Sequence, residues 1–406
     1  MSSTLSSPVL PAQAAGNPIV HGTKGQFIVA APERVNYYED YARVLAKIDS
    51  LYGYFTGNRR GSKGIPGELT YLNPLFGLFI NGTRRTLPGY TAEWLRAAIH
   101  PLFDRWVSID VKPGMHVLSS FGYANRCFKK ARANGGKTFL EAGNSHPENF
   151  WNTVKEEHRR WKVRRPPYPP NWNRQGREMV KHADYVLAPS KYVAQSFLDR
   201  GFTQEQIIHS PFAINLDLFR PKNEEIPPST PIRVVCTGSV SLRKGMPYLM
   251  EAVRIVRKTR DAVLVLTDSV ESSMKDIIPK YSDVPIEWAP PKPHAELAEH
   301  LRGCHVFALL SLEEGFARTA AEALACGLPA VLTFNTGSAD CIKPGVNGEI
   351  VPIRDPQAAA EAILKCHERL LEKGRPEIGD LHEYLSLEQF EARFLNALRR
   401  IGLLEH

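Results

Sequence analysis

The chain has 406 residues, of which 43% are hydrophobic and 23% charged, an ordinary globular composition long enough for two sizeable cores. A net charge of +8 admits an anionic partner (nucleotide, nucleic acid or acidic membrane) without choosing among them. No apolar run approaches the length of a bilayer-spanning helix, and the six cysteines show no paired spacing, which points to core thiols in a reducing compartment rather than disulfides or zinc.

Residues 1–25 are rich in Ser, Pro, Ala and Gly and read as a disordered arm. The arm lacks a basic start and is interrupted by Pro8 and Pro11, so a signal peptide is not expected. Residues 26–214 alternate apolar runs with helical patterns and read as a first α/β domain. Its strands are expected at Gln26 to Ala31, Leu51 to Thr56, Met115 to Ser120, after Gly135-Gly136, and from Ala183. Between them, Thr91 to Trp106 carries Trp94, Leu95, Ala98, Ile99, Leu102, Phe103 and Trp106 as an amphipathic stripe expected to face the core. The apolar stretch Leu75 to Ile80 beside Arg84 and Arg85 keeps a lipid interface in view.

His146, in Asn144-Ser145-His146-Pro147, follows the carboxyl end of an expected parallel strand, where open α/β sheets place their ligands. The run Glu156 to Arg165 is densely basic and ends at prolines. It reads either as a solvated helix face or as a contact for an anionic membrane.

Residues 215–231 are polar, proline-rich and aperiodic, and read as the interdomain linker. The second domain, residues 232–385, opens with an apolar strand, Ile232 to Thr237. A glycine loop follows, Gly238-Ser239-Val240-Ser241-Leu242-Arg243-Lys244-Gly245, and then a helix. Lys244 at that helix start adds a mobile cation to the free N–H groups, which suits a diphosphate; the spacing is not that of a Walker A loop. Further on, the apolar strand His305 to Leu310 leads through Gly315 into an Ala-rich helix that stops at Gly327 and Pro329. The turn and first helical residues, Gly315, Phe316, Ala317, Arg318 and Thr319, form a seat for phosphate. Glu314 and Glu322 frame it, eight residues apart, or about 12 Å along a helix. The pair is too far apart for the two carboxylates of a retaining glycosidase and suits two hooks on one long ligand. Residues 386–406 form a last helix.

The run from Glu314-Gly315-Phe316 through Glu322 to Cys326-Gly327-Leu328-Pro329 resembles the Glu-x7-Glu signature of family 4 glycosyltransferases, which are retaining enzymes of the GT-B fold. The resemblance extends from about Gln26 to Arg400. It implies two doubly wound, Rossmann-like α/β domains facing each other across a cleft, acceptor side first, with the last helix returning to the first domain. It also implies transfer of a sugar from a nucleotide diphosphate sugar, used as co-substrate with no cofactor, to a glycan or lipid-linked acceptor hydroxyl. In that likeness Glu314 holds sugar hydroxyls, Glu322 the ribose, His146 the sugar from the opposite domain, and Lys244 the diphosphate. An arginine that usually accompanies the lysine is Ser239 here; Arg243 or Arg318 is left to supply the charge. The family's glycine pair after the first strand is also replaced, by Pro32-Glu33-Arg34. No Asp-x-Asp occurs, so a metal-clamped diphosphate is not expected. The expectation is a cytoplasmic enzyme of polysaccharide, lipopolysaccharide or glycolipid synthesis, peripheral on the inner face of the membrane. Its rivals are a sugar-nucleotide epimerase or phosphorylase on the same fold, and a basic nucleic-acid- or glycan-binding protein. No nucleic-acid motif supports the last of these.

Overall fold

The computed structural model describes residues 25–33, 36–57, 64–87, 89–164, 168–222 and 230–405. Nearly all of the N-terminal arm, Arg34, Val35, Arg165 and linker residues 223–229 lie outside them.

Apolar runs buried on both faces become parallel strands, because only a sheet covered by helices on each side can hold them. The first sheet holds β1 (Phe27–Ala31), β2 (Leu51–Thr56), β3 (Thr70–Leu72), β4 (His116–Ser120), β5 (Thr138–Glu141), β6 (Tyr185–Ala188) and β7 (Ile207–His209). Their order is β3-β2-β1-β4-β5-β6-β7, with every pairing parallel. The second holds β8 (Ile232–Thr237), β9 (Ala262–Thr267), β10 (Ile286–Ala289), β11 (Val306–Leu309), β12 (Ala330–Thr333) and β13 (Gly348–Val351), ordered β10-β9-β8-β11-β12-β13 and again all parallel. Strand order reverses between β1 and β4 and between β8 and β11. These are the two places where doubly wound sheets open a crevice at their carboxyl ends. All six cysteines are buried and free.

Two elements differ from the sequence reading. The segment Pro74–Thr86 is a helix, begun by the Asn73 side chain, which accepts from Leu75 N at 3.3 Å, and by Pro74 in the first turn. Gly77 lowers its helix propensity, yet a Cβ there would lie 1.9 Å from Gly57 O, so close approach to the end of β2 demands the glycine. Helix Gly89–Ser108 is turned from the expected stripe. It buries Ala92, Arg96, His100, Phe103, Asp104 and Val107 and leaves Trp94 and Leu102 exposed. Partners for the polar groups explain the turn: Arg96 pairs with Glu33 and Glu93, and Asp104 accepts from Arg126 N (2.6 Å) and Cys127 N (3.0 Å). Hydrogen-bonded polar groups can sit where an apolar stripe was expected.

Two features join the halves. Helix Leu387–Arg400 packs on the first core, with Phe390 and Phe394 each 4.9 Å from the Tyr41 ring. On the other side, fully buried Glu157 of helix Pro147–Arg160 accepts from Trp161 Nε1 (2.8 Å), Tyr248 Oη (2.6 Å) and Arg354 Nε (2.8 Å). Trp161 and Val163 pack against the second core. The basic run therefore begins as a brace between domains, with Arg159, Arg160 and Arg164 on its exposed side.

Candidate active site

The second crevice is built from the loops after β8 and β11. Beyond β11 the chain continues through buried Leu310, Ser311 and Leu312 to Glu313, Glu314 and Gly315, then enters helix Arg318–Ala325. No side chain caps this helix, since Ala317 stands at its N-cap, so the positive end of the dipole is left for a ligand. Gly315 is required by the facing domain: a Cβ there would lie 2.1 Å from Gly143 O and 2.9 Å from Asn144 Cα. Gly315 O accepts from Ser190 Oγ at 2.8 Å, and Lys191 N donates to Asp340 Oδ2 at 2.7 Å. The motif turn is thus gripped by first-domain loops after β5 and β6.

Charge is concentrated at Glu314. Its Oε2 accepts from Lys244 Nζ and, at 3.0 Å, from Arg243 Nη1, which also donates to Glu313 O at 2.8 Å. Burial alone would raise the Glu314 pKa, but the two cations outweigh it and hold the carboxyl at about 2. Burial acts against the Arg243 charge, while Glu314, Tyr168, Glu313 and Glu271 favour it, so the guanidinium stays protonated. Arg243 thus brings a second cation to the Glu314 carboxylate that Lys244 already holds, while Ser239 bonds Glu271. Gly238 takes a left-handed φ of +102° with open space beside it.

Glu322 is almost fully buried one helix turn further in, among different groups. Burial raises its pKa, against Arg318 and His294. Arg318 and Thr319 are half-buried at the helix start, and Phe316 packs away from the turn on Phe212, 5.6 Å between centroids. Of the residues singled out from the sequence, Lys244, Arg243 and Glu314 form one cluster. Gly315, Ala317, Arg318 and Thr319 form the adjoining turn, and Phe316 contributes backbone there rather than a ring.

His146 caps helix Pro147–Arg160: its Nδ1 accepts from Glu148 N at 3.3 Å, its own N–H donates to Ser196 Oγ at 2.9 Å, and its ring sits 5.2 Å from Phe197. Burial first, then Arg200 and Arg177, lower its pKa to about 4, so the imidazole is neutral near pH 7.

The residue that sequence reasoning missed is Glu313. Its carboxylate is completely buried; Oε1 accepts from Ser145 N at 2.8 Å, and Oε2 lies 3.5 Å from Arg243 Nη1. It links the loop carrying His146 to the cation beside Glu314. Asn149 Nδ2 bonds both Ser145 Oγ (3.1 Å) and Tyr192 Oη (3.0 Å), which holds the first-domain end of this link. Adjacent glutamates in a turn give no periodic signal to separate them; only the facing domain does. Among the described residues, no three or more His, Cys, Asp or Glu side chains gather as a metal site.

Solved structures with the same architecture include sucrose-phosphate synthase from Thermosynechococcus elongatus, with a TM-score of 0.65 at 17% identity over 93% of this chain and 99% of that one. The fold is GT-B. Another GT-B structure, Anabaena HepE in complex with UDP-glucose, matches with a TM-score of 0.62 at 12% identity over 92% of this chain and 99% of its own. Residues 220–373 match the family model described as glycosyl transferases group 1, a span that contains Lys244, Glu314 and Glu322. A curated relative is the putative colanic acid biosynthesis glycosyltransferase WcaL of Escherichia coli (strain K12), 25% identical over 46% of this chain and 48% of its own. The chain spans about half the length of the curated relatives it matches.

Proposed function

We propose that this protein is a retaining glycosyltransferase that moves a sugar from a nucleotide diphosphate sugar to an acceptor hydroxyl in polysaccharide, lipopolysaccharide or glycolipid synthesis. The observation that carries the reading is the cluster of Glu314, Lys244 and Arg243 beside an uncapped helix N-terminus, with Glu313 tying it to Ser145 of the loop that carries His146. The group 1 match over this half of the chain and the polysaccharide context of WcaL support it.

In this reading the diphosphate lies on the N–H groups of residues 317–319. There it draws Lys244 and Arg243 toward its oxygens, which frees the Glu314 carboxylate to accept from sugar hydroxyls. Glu322 takes the ribose, and neutral His146 offers a hydrogen bond to the sugar from the first domain. The anomeric carbon exchanges its bond to the diphosphate oxygen for one to the acceptor oxygen on the same face, and the acceptor proton leaves on the diphosphate. Negative charge grows on the leaving group as that bond breaks, so the two cations and the helix end stabilise the transition state more than the ground state. They also stand where a divalent ion would otherwise act.

The test is turnover of a panel of nucleotide diphosphate sugars, first ranked by the rise in melting temperature each gives. We expect activity to survive EDTA and the first-formed product, observed by NMR, to keep the donor's anomeric configuration. Inversion, or activity lost to chelator and restored by Mn²⁺, would remove the mechanism; a lysate-free enzyme that only epimerises or phosphorolyses its ligand would favour the rival reading.

A further inference from the structure

The first domain carries an apolar surface that its own fold does not cover. Helix Pro74–Thr86 lies against helix Gly89–Ser108 through Phe76, whose ring is 5.3 Å from Phe103 and 5.9 Å from Trp106. The outer face of the first of these helices presents Leu75, 71% exposed, with Leu78 and Phe79. On the second, Trp94 and Leu102 are 55% and 60% exposed, and Ile109, just past its last residue, is 72% exposed. Positions 94, 98, 102 and 105 are spaced three or four apart within the helix, so they share one face. Half of all exposed large apolar side chains among the described residues fall between Leu72 and Ile109, where exposed apolar residues in a soluble protein are usually scattered singly.

The charged residues lining the groove beside this face have one sign. Arg105 continues the apolar row of its helix, and with Arg126, Lys129 and Lys130 it lines a groove next to Ile109 in which no acidic residue takes part. Lys130 Nζ is turned to Ser108 O at 2.7 Å and Lys129 is paired with Glu178 at 2.8 Å, while both arginines are exposed. Cations flanking an apolar row are complementary to an anionic bilayer surface, where headgroup phosphates meet acyl chains. A second copy of the chain would instead bring like charges together.

We propose that this face, helices Pro74–Thr86 and Gly89–Ser108 with the Arg105–Arg126 groove, is the surface by which the protein rests on an anionic lipid membrane. It rests on the reading above only in that a membrane-borne acceptor would then approach the acceptor-side domain. The surface keeps the Leu75 to Ile80 stretch that the sequence offered as a lipid interface and leaves aside the basic run from Arg159, which continues from the brace between domains. Among the described residues no helix is long and apolar enough to cross a membrane, so the contact is peripheral.

Flotation of the full chain with vesicles of phosphatidylglycerol and phosphatidylcholine in equal parts tests this. Wild-type protein floats at low salt and sinks with pure phosphatidylcholine. Arg105→Gln with Arg126→Gln lowers the partition coefficient about 30-fold, the equivalent of about 1 kcal/mol for each cation removed. Leu75→Asp with Leu78→Asp abolishes flotation, and since both side chains are exposed the variant keeps its melting temperature. Lys244→Ala floats as the wild type does, and calorimetry with UDP and GDP on every variant separates loss of the surface from failure of the donor-site reading. The proposal is overturned if the wild type stays at the bottom with anionic vesicles, if the Leu75/Leu78 variant floats unchanged, or if sedimentation shows a dimer that this variant dissolves.

Discussion

In the proposed function Lys244 and Glu322 serve different parts of the donor, so their removal should separate turnover from affinity. Glu322→Ala loses hydrogen bonds to a charged acceptor, about 1.5–3 kcal/mol, and should weaken nucleotide binding by calorimetry with a smaller effect on kcat. Lys244→Ala removes charge stabilisation that grows as the leaving group departs and should lower kcat roughly 100- to 1,000-fold. Equal small changes in both parameters for both variants would refute these roles. Glu313 acts at one remove. Glu313→Ala leaves Ser145 N–H without its acceptor, a penalty of about 1–3 kcal/mol on the loop that holds His146. It should cut kcat about 10- to 100-fold while nucleotide affinity stays unchanged, and Glu313→Gln, which retains an acceptor, should restore most of the loss. A Gln variant as slow as Ala would show that the charge beside Arg243 matters instead.

The glycine turn between β11 and helix Arg318–Ala325 is the element most exposed to substitution, because two domains meet on it. Gly315→Ala places a methyl within 2.1 Å of Gly143 O, backbone that cannot rotate away. Relief by shifting the loop costs about 1–3 kcal/mol, and relief by opening the cleft costs activity. We expect a lower melting temperature together with a large fall in kcat, whereas Gly238→Ala, whose neighbourhood is open, should show only the strain of its positive φ. Wild-type turnover in Gly315→Ala would mean that the close approach to Gly143 is not kept during catalysis.

Across the whole molecule, three buried histidines contribute to a loss of stability in acid. Burial leads in lowering His100, His116 and His146 each to about 4, so the folded state keeps them neutral where the unfolded chain, at its ordinary value of 6.5, takes up protons. The unfolded state then binds more protons between these values, and stability falls as pH drops from 6.5 toward 4, by up to about 1.4 kcal/mol per pH unit for each group. Above 6.5 their contribution is complete and flat. Melting temperatures measured across this window should fall with acid, and His146→Gln should fall less steeply; an unchanged slope would show that His146 titrates normally.

The local elements that make the second crevice were legible in the amino-acid order. β8, β11 and β12 are short apolar runs, and the helix after Gly315 is Ala-rich with a Gly327 stop. A strand, a glycine turn and a helix start need only neighbouring residues to form. Three-residue β3 and β7 were not legible, being too short to show a period, nor was helix Pro74–Thr86, whose Gly77 answers to a contact with Gly57. The same limit applies to the site. Glu314 and Lys244 stood out by their turns, but the meeting of Lys244 and Arg243 on Glu314, the burial of Glu313 against Ser145 and the rotation of helix Gly89–Ser108 join groups as many as 168 positions apart. Sequence order determined which residues sit at the carboxyl ends of the strands; only the packing of one domain on the other decided which of them are charged, buried and face each other, because those properties belong to pairs of distant groups.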